Sequence, residues 1–427
     1  MTTTATRSLA DWLSHAESLH RVGIDLGLAR VRCVAERLGV LPPACENFVI
    51  AGTNGKGSTS VYLEALLRAS GRRVGTTLSP HLARFNERVR LNGRAVDDRV
   101  ICEAFAEIEM ARGDVTLTYF EFGILAALSV FKQSAVDATV LEVGLGGRLD
   151  AVNIVDADVA TITSIGIDHV DYLGPDRETI GREKAGICRA NTPTVFGEGS
   201  IPASIVEVAR RLGSPLVRYG VDFGATMSTD GWTFEGVRDG ARTTLRGLAV
   251  PSVALSNAAT ALQAFLLHDH THAIEPLARA ASTARLPGRF EHFSMGDAVV
   301  IVDVAHNPHG AAFLSNQLRA TRDAGRTIAI AGFLQDKDAQ GIVAALDDQV
   351  DEWVFVGTEG ARGQTAARSA AKTHTERPAR VTESDLSTTL ATVTERLKDG
   401  DRVVVLGCFD LAGRARALLA SGLDDVD

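Results

Sequence analysis

The residues with the clearest chemistry lie in GTNGKGS (52–58), directly after an apolar run of strand type and at the start of a helical pattern. Glycines let a backbone fold tightly enough for its N–H groups to face a phosphate, and a helix N-terminus adds partial positive charge. Gly52, Thr53, Asn54, Gly55, Gly57 and Ser58 would form such a cradle, and Lys56 would reach the β- and γ-phosphates. The strict phosphate-loop spacing is not met, because Ile50 stands at the first glycine position and Gly57 follows Lys56. An ordinary glycine-rich strand-to-helix turn is the competing reading. Glu142 ends the apolar run 139–143, where a parallel strand meets its ligand edge, so it can hold a hydrated Mg²⁺ or pair with Arg148. His169 follows the next strand and reaches the same edge, or is an ordinary core or surface histidine. Ser79, in SPH (79–81), follows a second strand. Lys184 reads by default as a solvated helix lysine. Asp303 and His306, in DVAHNPH (303–309), end a later apolar strand, and Arg289 lies just before it.

These groups need a scaffold that brings strand ends together. From residue 47 onward apolar runs alternate with helical spacing: strands at 48–51, 74–78, 137–143 and 158–164, helices at 58–69, 97–111 and 119–134. Such alternation predicts a parallel sheet covered on both faces. Residues 215–250 carry Asp-Gly pairs between short strand-type runs, which predicts β-hairpins. Alternation restarts near 299, with strands at 299–303, 328–331, 353–356 and 402–406. The expected fold class is α/β: a P-loop-type doubly wound, mostly parallel sheet with an added small β region over 1–296, and a second, smaller Rossmann-like α/β domain over 297–427. A length of 427 residues suits two or three domains.

Composition narrows the function classes. With 44 basic and 53 acidic side chains the net charge is -9, which argues against nucleic-acid or acidic-membrane binding. Five scattered cysteines form no CxxC pair and fit a reducing compartment. No signal-type N-terminus and no apolar run near ~18 residues is seen, so a cytoplasmic protein without a membrane span is expected.

Taken in order, GTNGKGS, TLSPHL, EVGLGGRLDAVN, TSIGIDHVDYLG, GREKAGI, LPGRF and DVAHNPHG cover nearly the whole chain. The series resembles the bifunctional dihydrofolate synthase/folylpolyglutamate synthase family within the Mur ligase superfamily. DLGLARV (25–31) and TYFE (118–121) are similar to the dihydropteroate-binding segments of its bifunctional members. Only about fifty residues precede the glycine-rich loop, which favours the folate branch over ligases that carry a UDP-sugar domain there.

The resemblance implies ATP and Mg²⁺ as cofactors, with dihydropteroate, reduced folates and L-glutamate as substrates, and a monomer. It implies Ser79, Glu142, His169 and Lys184 as metal ligands, Lys184 as a carbamate. Asn257, Arg289 and Asp303 become nucleotide contacts, the latter two in an inter-domain cleft. Leu28, Ala29, Arg30, Thr118, Tyr119, Phe120, Glu121, Leu149, Asp150 and Ala151 line the pterin site, and His306 faces the reacting carboxylate and the incoming glutamate. One departure stands out: GCFDL (407–411) replaces the family's Gly-Ser-Phe or Gly-Ser-Leu followed by His or Tyr, leaving Asp410 either to repel a glutamate or to start a helix. The competing classes are another amino-acid ligase of the superfamily, a kinase or ATPase that makes no amide bond, and a nucleotide-binding regulator without turnover.

Overall fold

The computed structural model describes residues 7–295, 298–321 and 325–421. The chain divides into two compact units, Met1–Leu286 and Pro287–Asp427.

In the first unit the strands are β1 (Glu46–Ala51), β2 (Val74–Thr77), β3 (Val89–Leu91), β4 (Arg94–Ala95), β5 (Ala138–Glu142), β6 (Val159–Ile162), β7 (Thr194–Phe196) and β8 (Leu216–Arg218). They form one sheet in the order β4-β3-β2-β5-β1-β6-β7-β8. The six strands β2, β5, β1, β6, β7 and β8 run parallel, and β3 and β4 add an antiparallel edge. Alternation along the central strands separates two cores. Val49, Ala51, Leu141, Ala160 and Ile162 pack on one face with helices Asp98–Arg112 and Tyr119–Gln133. Phe48, Ile50, Val140 and Val159 pack on the other with helices Lys56–Ala69 and Leu255–Leu266. Both faces are covered, which is why these strands read as unbroken apolar runs. Helices start where the sequence offers caps: Thr118 and Glu121 form a capping box, and Asp176 caps Arg177–Lys184. The hairpin region is a separate antiparallel sheet of β9 (Gly224–Ser228), β10 (Gly231–Arg238) and β11 (Ala241–Leu248).

The second unit holds β12 (Glu291–Met295), β13 (Ala298–Val302), β14 (Thr327–Ala331), β15 (Glu352–Phe355), β16 (Ala379–Val381) and β17 (Arg402–Leu406), ordered β12-β13-β17-β14-β15-β16. All neighbours are parallel except β12 with β13. That antiparallel pair corrects the expected boundary. Gly296 and Asp297, where the break at 296/297 was expected, lie outside the described residues, and the division falls earlier, between Leu286 and Pro287. β12 belongs to the second sheet because it pairs with β13 from Glu291↔Val302 to Met295↔Ala298. Its exposed, mixed pattern hid it from an apolar-run reading.

Candidate active site

The ends of β1, β2, β5 and β6 bring together residues expected to carry the chemistry. After β1 the chain enters the glycine-rich loop, and helix Lys56–Ala69 begins at Lys56 with Gly55 in the left-handed region at φ 84°. A Cβ at Gly55 would also come 2.5 Å from Asn257 Oδ1, so Asn257 is packed against the loop. The loop is tied to the end of β6. Thr53 N donates to Ser164 O at 2.8 Å, and Asn54 N to Ser164 Oγ at 3.1 Å. Thr163 Oγ1 and Ser164 Oγ donate to Asn54 O at 2.6 and 3.0 Å. Thr53 Oγ1 donates to Gly166 O at 3.0 Å and accepts from Gly166 N at 2.9 Å. The sequence reading passed over Thr163 and Ser164, although adjacent hydroxyls directly after a strand facing the loop were the available signal.

Two amines converge on one carbonyl. Lys56 Nζ donates to Gly52 O at 3.1 Å and to Thr53 O at 3.3 Å, and Lys184 Nζ donates to the same Gly52 O at 2.9 Å. Lys184 is only 4% exposed, so the solvated-helix reading does not hold. Burial, then the charge of Lys56, pull its pKa down to about 7, against the opposing pull of Asp168 and Asp150. A neutral amine at ordinary pH suits the chemistry of carbamate formation. Asp150 acts electrostatically with both lysines, its carboxylate accepting from Leu145 N at 2.8 Å and Val152 N at 3.0 Å. Burial pushes its pKa up to about 6.

Glu142, 4% exposed at the end of β5, accepts from Ser79 N at 2.9 Å. Arg148 pairs instead with Glu183 at 2.9 Å, which removes the alternative of a Glu142–Arg148 pair. Ser79 Oγ is buried with no hydrogen-bond partner among the described residues. An orphaned hydroxyl beside a buried carboxylate fits a hard, oxygen-seeking cation. No three His, Cys, Asp or Glu converge among the described residues, and the expected ligand set contains only two residues of those types. His169 takes a left-handed conformation at φ 53° at the head of helix Val170–Leu173, with its ring exposed. Asp168 beside it acts electrostatically on Lys184.

Next to Ser79 and Glu142 a recess is lined by Phe85, Arg88, Tyr119 and Phe120. Tyr119 and Phe120 bring the segment 118–121 to this recess, and the segment 25–31 is tied to the same helix start: Arg30 Nη2 lies 3.3 Å from Glu121 Oε1, and Arg30 Nη1 pairs with Asp25 at 2.6 Å. Glu121 also accepts from Thr118 N at 2.7 Å, which fixes the start of helix Tyr119–Gln133. The Phe120 ring approaches Gly144 so closely that a Cβ there would come 2.5 Å from it, joining the segment 118–121 to the turn that carries Leu149, Asp150 and Ala151. Leu28 and Ala29 begin the helix Ala29–Arg37.

In the second unit, Asp303 follows β13 and accepts from Phe290 N and Ala305 N, each at 2.8 Å, so it anchors the turn that presents Arg289. Burial raises its pKa, opposed by Arg289. Arg289 lies 5.0 Å over the Phe409 ring, and the His306 ring is 5.5 Å from the same ring. His306 Nδ1 is paired with Val304 O at 2.8 Å. Asp410 sits in the first turn of helix Phe409–Ser421 and ion-pairs with Arg414 at 3.0 Å. Its charge is locally balanced, which favours the helix-start reading over repulsion of a substrate.

A phosphate-type loop at the head of a parallel sheet, a carboxylate and hydroxyl on the neighbouring strand ends, and a second parallel α/β unit define a Mur-type ligase. The Mur ligase middle domain matches residues 50–230, and the Mur ligase glutamate ligase domain matches residues 288–409. The Escherichia coli (strain K12) dihydrofolate synthase/folylpolyglutamate synthase is 49% identical over 362 residues, 85% of each chain. A solved structure of E. coli FolC in complex with DHPP and ADP superposes with a TM-score of 0.93 at 44% identity, covering 99% of this chain and 100% of that one. The Yersinia pestis c092 bifunctional folylpolyglutamate synthase/dihydrofolate synthase, complexed with AMPPNP and Mn ion, gives 0.91 at 45% identity, covering 98% and 100%. The chain belongs to the dihydrofolate synthase/folylpolyglutamate synthase family of Mur ligases.

Proposed function

We propose that the residues assembled around β1, β2, β5 and β6 carry out ATP-dependent amide formation. The chain is a ligase that adds L-glutamate to 7,8-dihydropteroate and to reduced folates, using ATP and a divalent metal. One observation carries the assignment of roles: a Cβ at Gly57 of the loop would lie 3.5 Å from Glu142 Oε2, and Glu142 is bonded to Ser79 and lines the aromatic recess, so the three are contiguous.

A carboxylate in water is a poor electrophile, so the acceptor must first be phosphorylated. The loop N–H groups and Lys56 hold the triphosphate and stabilise charge that spreads over the transferred phosphoryl group. The recess holds the acceptor with its carboxylate toward Ser79 and Glu142. In-line attack on the γ-phosphorus releases ADP and leaves an acyl phosphate. The α-amine of glutamate then attacks the acyl carbon and expels phosphate, with loss of a proton from the amine. Acyl phosphates hydrolyse readily, so the apolar walls of the recess must exclude water. Ser79, Glu142, His169 and a carbamylated Lys184 would hold Mg²⁺, which supplies charge neutralisation at the phosphates. In the second unit Arg289, Asp303 and His306 are assigned to the nucleotide and amino-acid side. No helix among the described residues is long and apolar enough to cross a membrane. We place the protein in the cytoplasm, as a monomer without a nucleic-acid partner.

The test is ADP release with ATP, Mg²⁺ and L-glutamate, comparing dihydropteroate with a reduced folate. Both acceptors should support glutamate-dependent turnover. Phosphate release that ignores glutamate would point to a kinase or ATPase, and extension of reduced folate alone would leave a monofunctional synthase.

A further inference from the structure

Arg88, at the end of the short 3₁₀ turn Phe85–Arg88, belongs to none of the motifs used above and lines the recess with Ser79 and Glu142. Its surroundings are unusual for a partly buried guanidinium. Among the described residues its side chain donates one hydrogen bond, from Nε to His81 Nδ1 at 2.8 Å, an acceptor without charge. Other enclosed arginines of this unit pair with carboxylates: Arg90 with Glu64 at 3.0 Å, and Arg72 with Glu46 at 2.9 Å. The adjacent carboxylate, Glu87, is committed to the backbone N–H groups of Leu82, Ala83 and Arg84 at 2.7–2.9 Å. The guanidinium is braced between aromatic rings, 5.8 Å from the Phe85 centroid and 5.6 Å from that of Tyr119. Burial pulls its pKa below the usual arginine range, with Tyr119 and Glu142 opposing. A partly buried cation without a hydrogen-bonded anion carries a desolvation cost, and a guanidinium edge matches a carboxylate in two parallel hydrogen bonds.

We propose that Arg88 is the anion receptor of this recess, its guanidinium holding the carboxylate of the pteroate-type acceptor beside Ser79 and Glu142. The inference rests on the acceptor assignment made under Proposed function. The recess is narrow, so a carboxylate group enters it while an attached aryl group rests against the aromatic rim of Phe85, Tyr119 and Phe120; the triphosphate already has the glycine-rich loop.

Equilibrium binding to the full-length protein tests this without turnover, with dihydropteroate and its carboxamide as paired ligands and AMPPNP as a third. Wild type should prefer the acid over the amide by about tenfold or more, the scale of a charge-assisted pair. R88M and R88Q should bind acid and amide alike and leave AMPPNP affinity unchanged. R88K, which keeps the charge but not the fork, should retain part of the preference. An R88M or R88Q protein that keeps the wild-type ratio, or that loses AMPPNP rather than the acid, overturns the role of Arg88 while the ligase assignment stands. A wild type that binds neither pterin ligand overturns both.

Discussion

Lys56 and Lys184 meet at Gly52 O, and two positive charges on one carbonyl cannot both be comfortable in a buried place. Lys184 yields, its pKa falling to about 7. A lysine depressed below its unfolded value near 10.5 leaves the unfolded chain with more bound protons between about pH 7 and 10.5. Stability should therefore rise with pH across that window, and the full cost should be present below it. In metal-free, CO₂-free protein, the melting temperature of wild type relative to Lys184→Met should climb from pH 7 to pH 10, and a flat difference would contradict the buried amine. The neutral amine can add CO₂, losing one proton to give the carbamate. Incubation with ¹³C-bicarbonate and Mg²⁺ should then give a carbamate carbonyl resonance absent from Lys184→Ala, which should also lose most activity. Lys56→Ala should lower kcat by at least about a hundredfold, as removal of a transition-state donor does, in a protein that still unfolds cooperatively.

At the scale of elements, the acceptor site depends on two helices locked by Glu121. It is 3% exposed, closes the capping box of helix Tyr119–Gln133 and pairs with Arg30 of helix Ala29–Arg37. Glu121→Ala removes a cap worth about 1 kcal/mol and leaves Arg30 with Asp25 alone, so a loss of about 2–3 kcal/mol is expected in urea unfolding. A raised KM for the acceptor with little change in KM for ATP should accompany it. The central strands and their helices were legible in the sequence because their apolar runs and caps are local. Helix Asp98–Arg112 falls within a residue or two of the expected 97–111. What escaped depends on partners distant in the chain. β12 is defined by its register with β13, β3 and β4 are short and mixed, and helix Leu9–Ser18 gains its meaning from packing on Phe105 and Phe122. Within the site, the positions of the loop, Glu142 and Ser79 at strand ends were readable from the apolar runs before them. The Arg30–Glu121 pair spans ninety-one residues, and no local spacing reveals it.

For the molecule as a whole, binding energy should appear as folding stability in the first unit, which holds the loop and the expected metal residues. A ligand that binds only the native state stabilises it by RT ln(1 + [L]/Kd), about 2.7 kcal/mol at a hundredfold excess over Kd. AMPPNP with Mg²⁺ should raise the melting temperature by several degrees, and chelation with EDTA should remove most of that gain. Persistence of the full shift after chelation would argue against the Ser79–Glu142 cation site.

The clamp on Asn54 O has a directional consequence. A trans peptide is planar, and its C=O and N–H point to opposite sides. Thr163 and Ser164 draw the Asn54 carbonyl toward the end of β6, so the N–H of Gly55, on the far side of the same plane, is turned away from β6. Two hydroxyls just past the end of β6 thereby set the polarity of one rotatable plate in the loop. The double variant Thr163→Val, Ser164→Ala would free that plate to flip and offer an oxygen where a phosphate expects a proton. Nucleotide affinity should fall about tenfold, the weight of one hydrogen bond to a charged group, when compared at a temperature well below the melting transition of the variant.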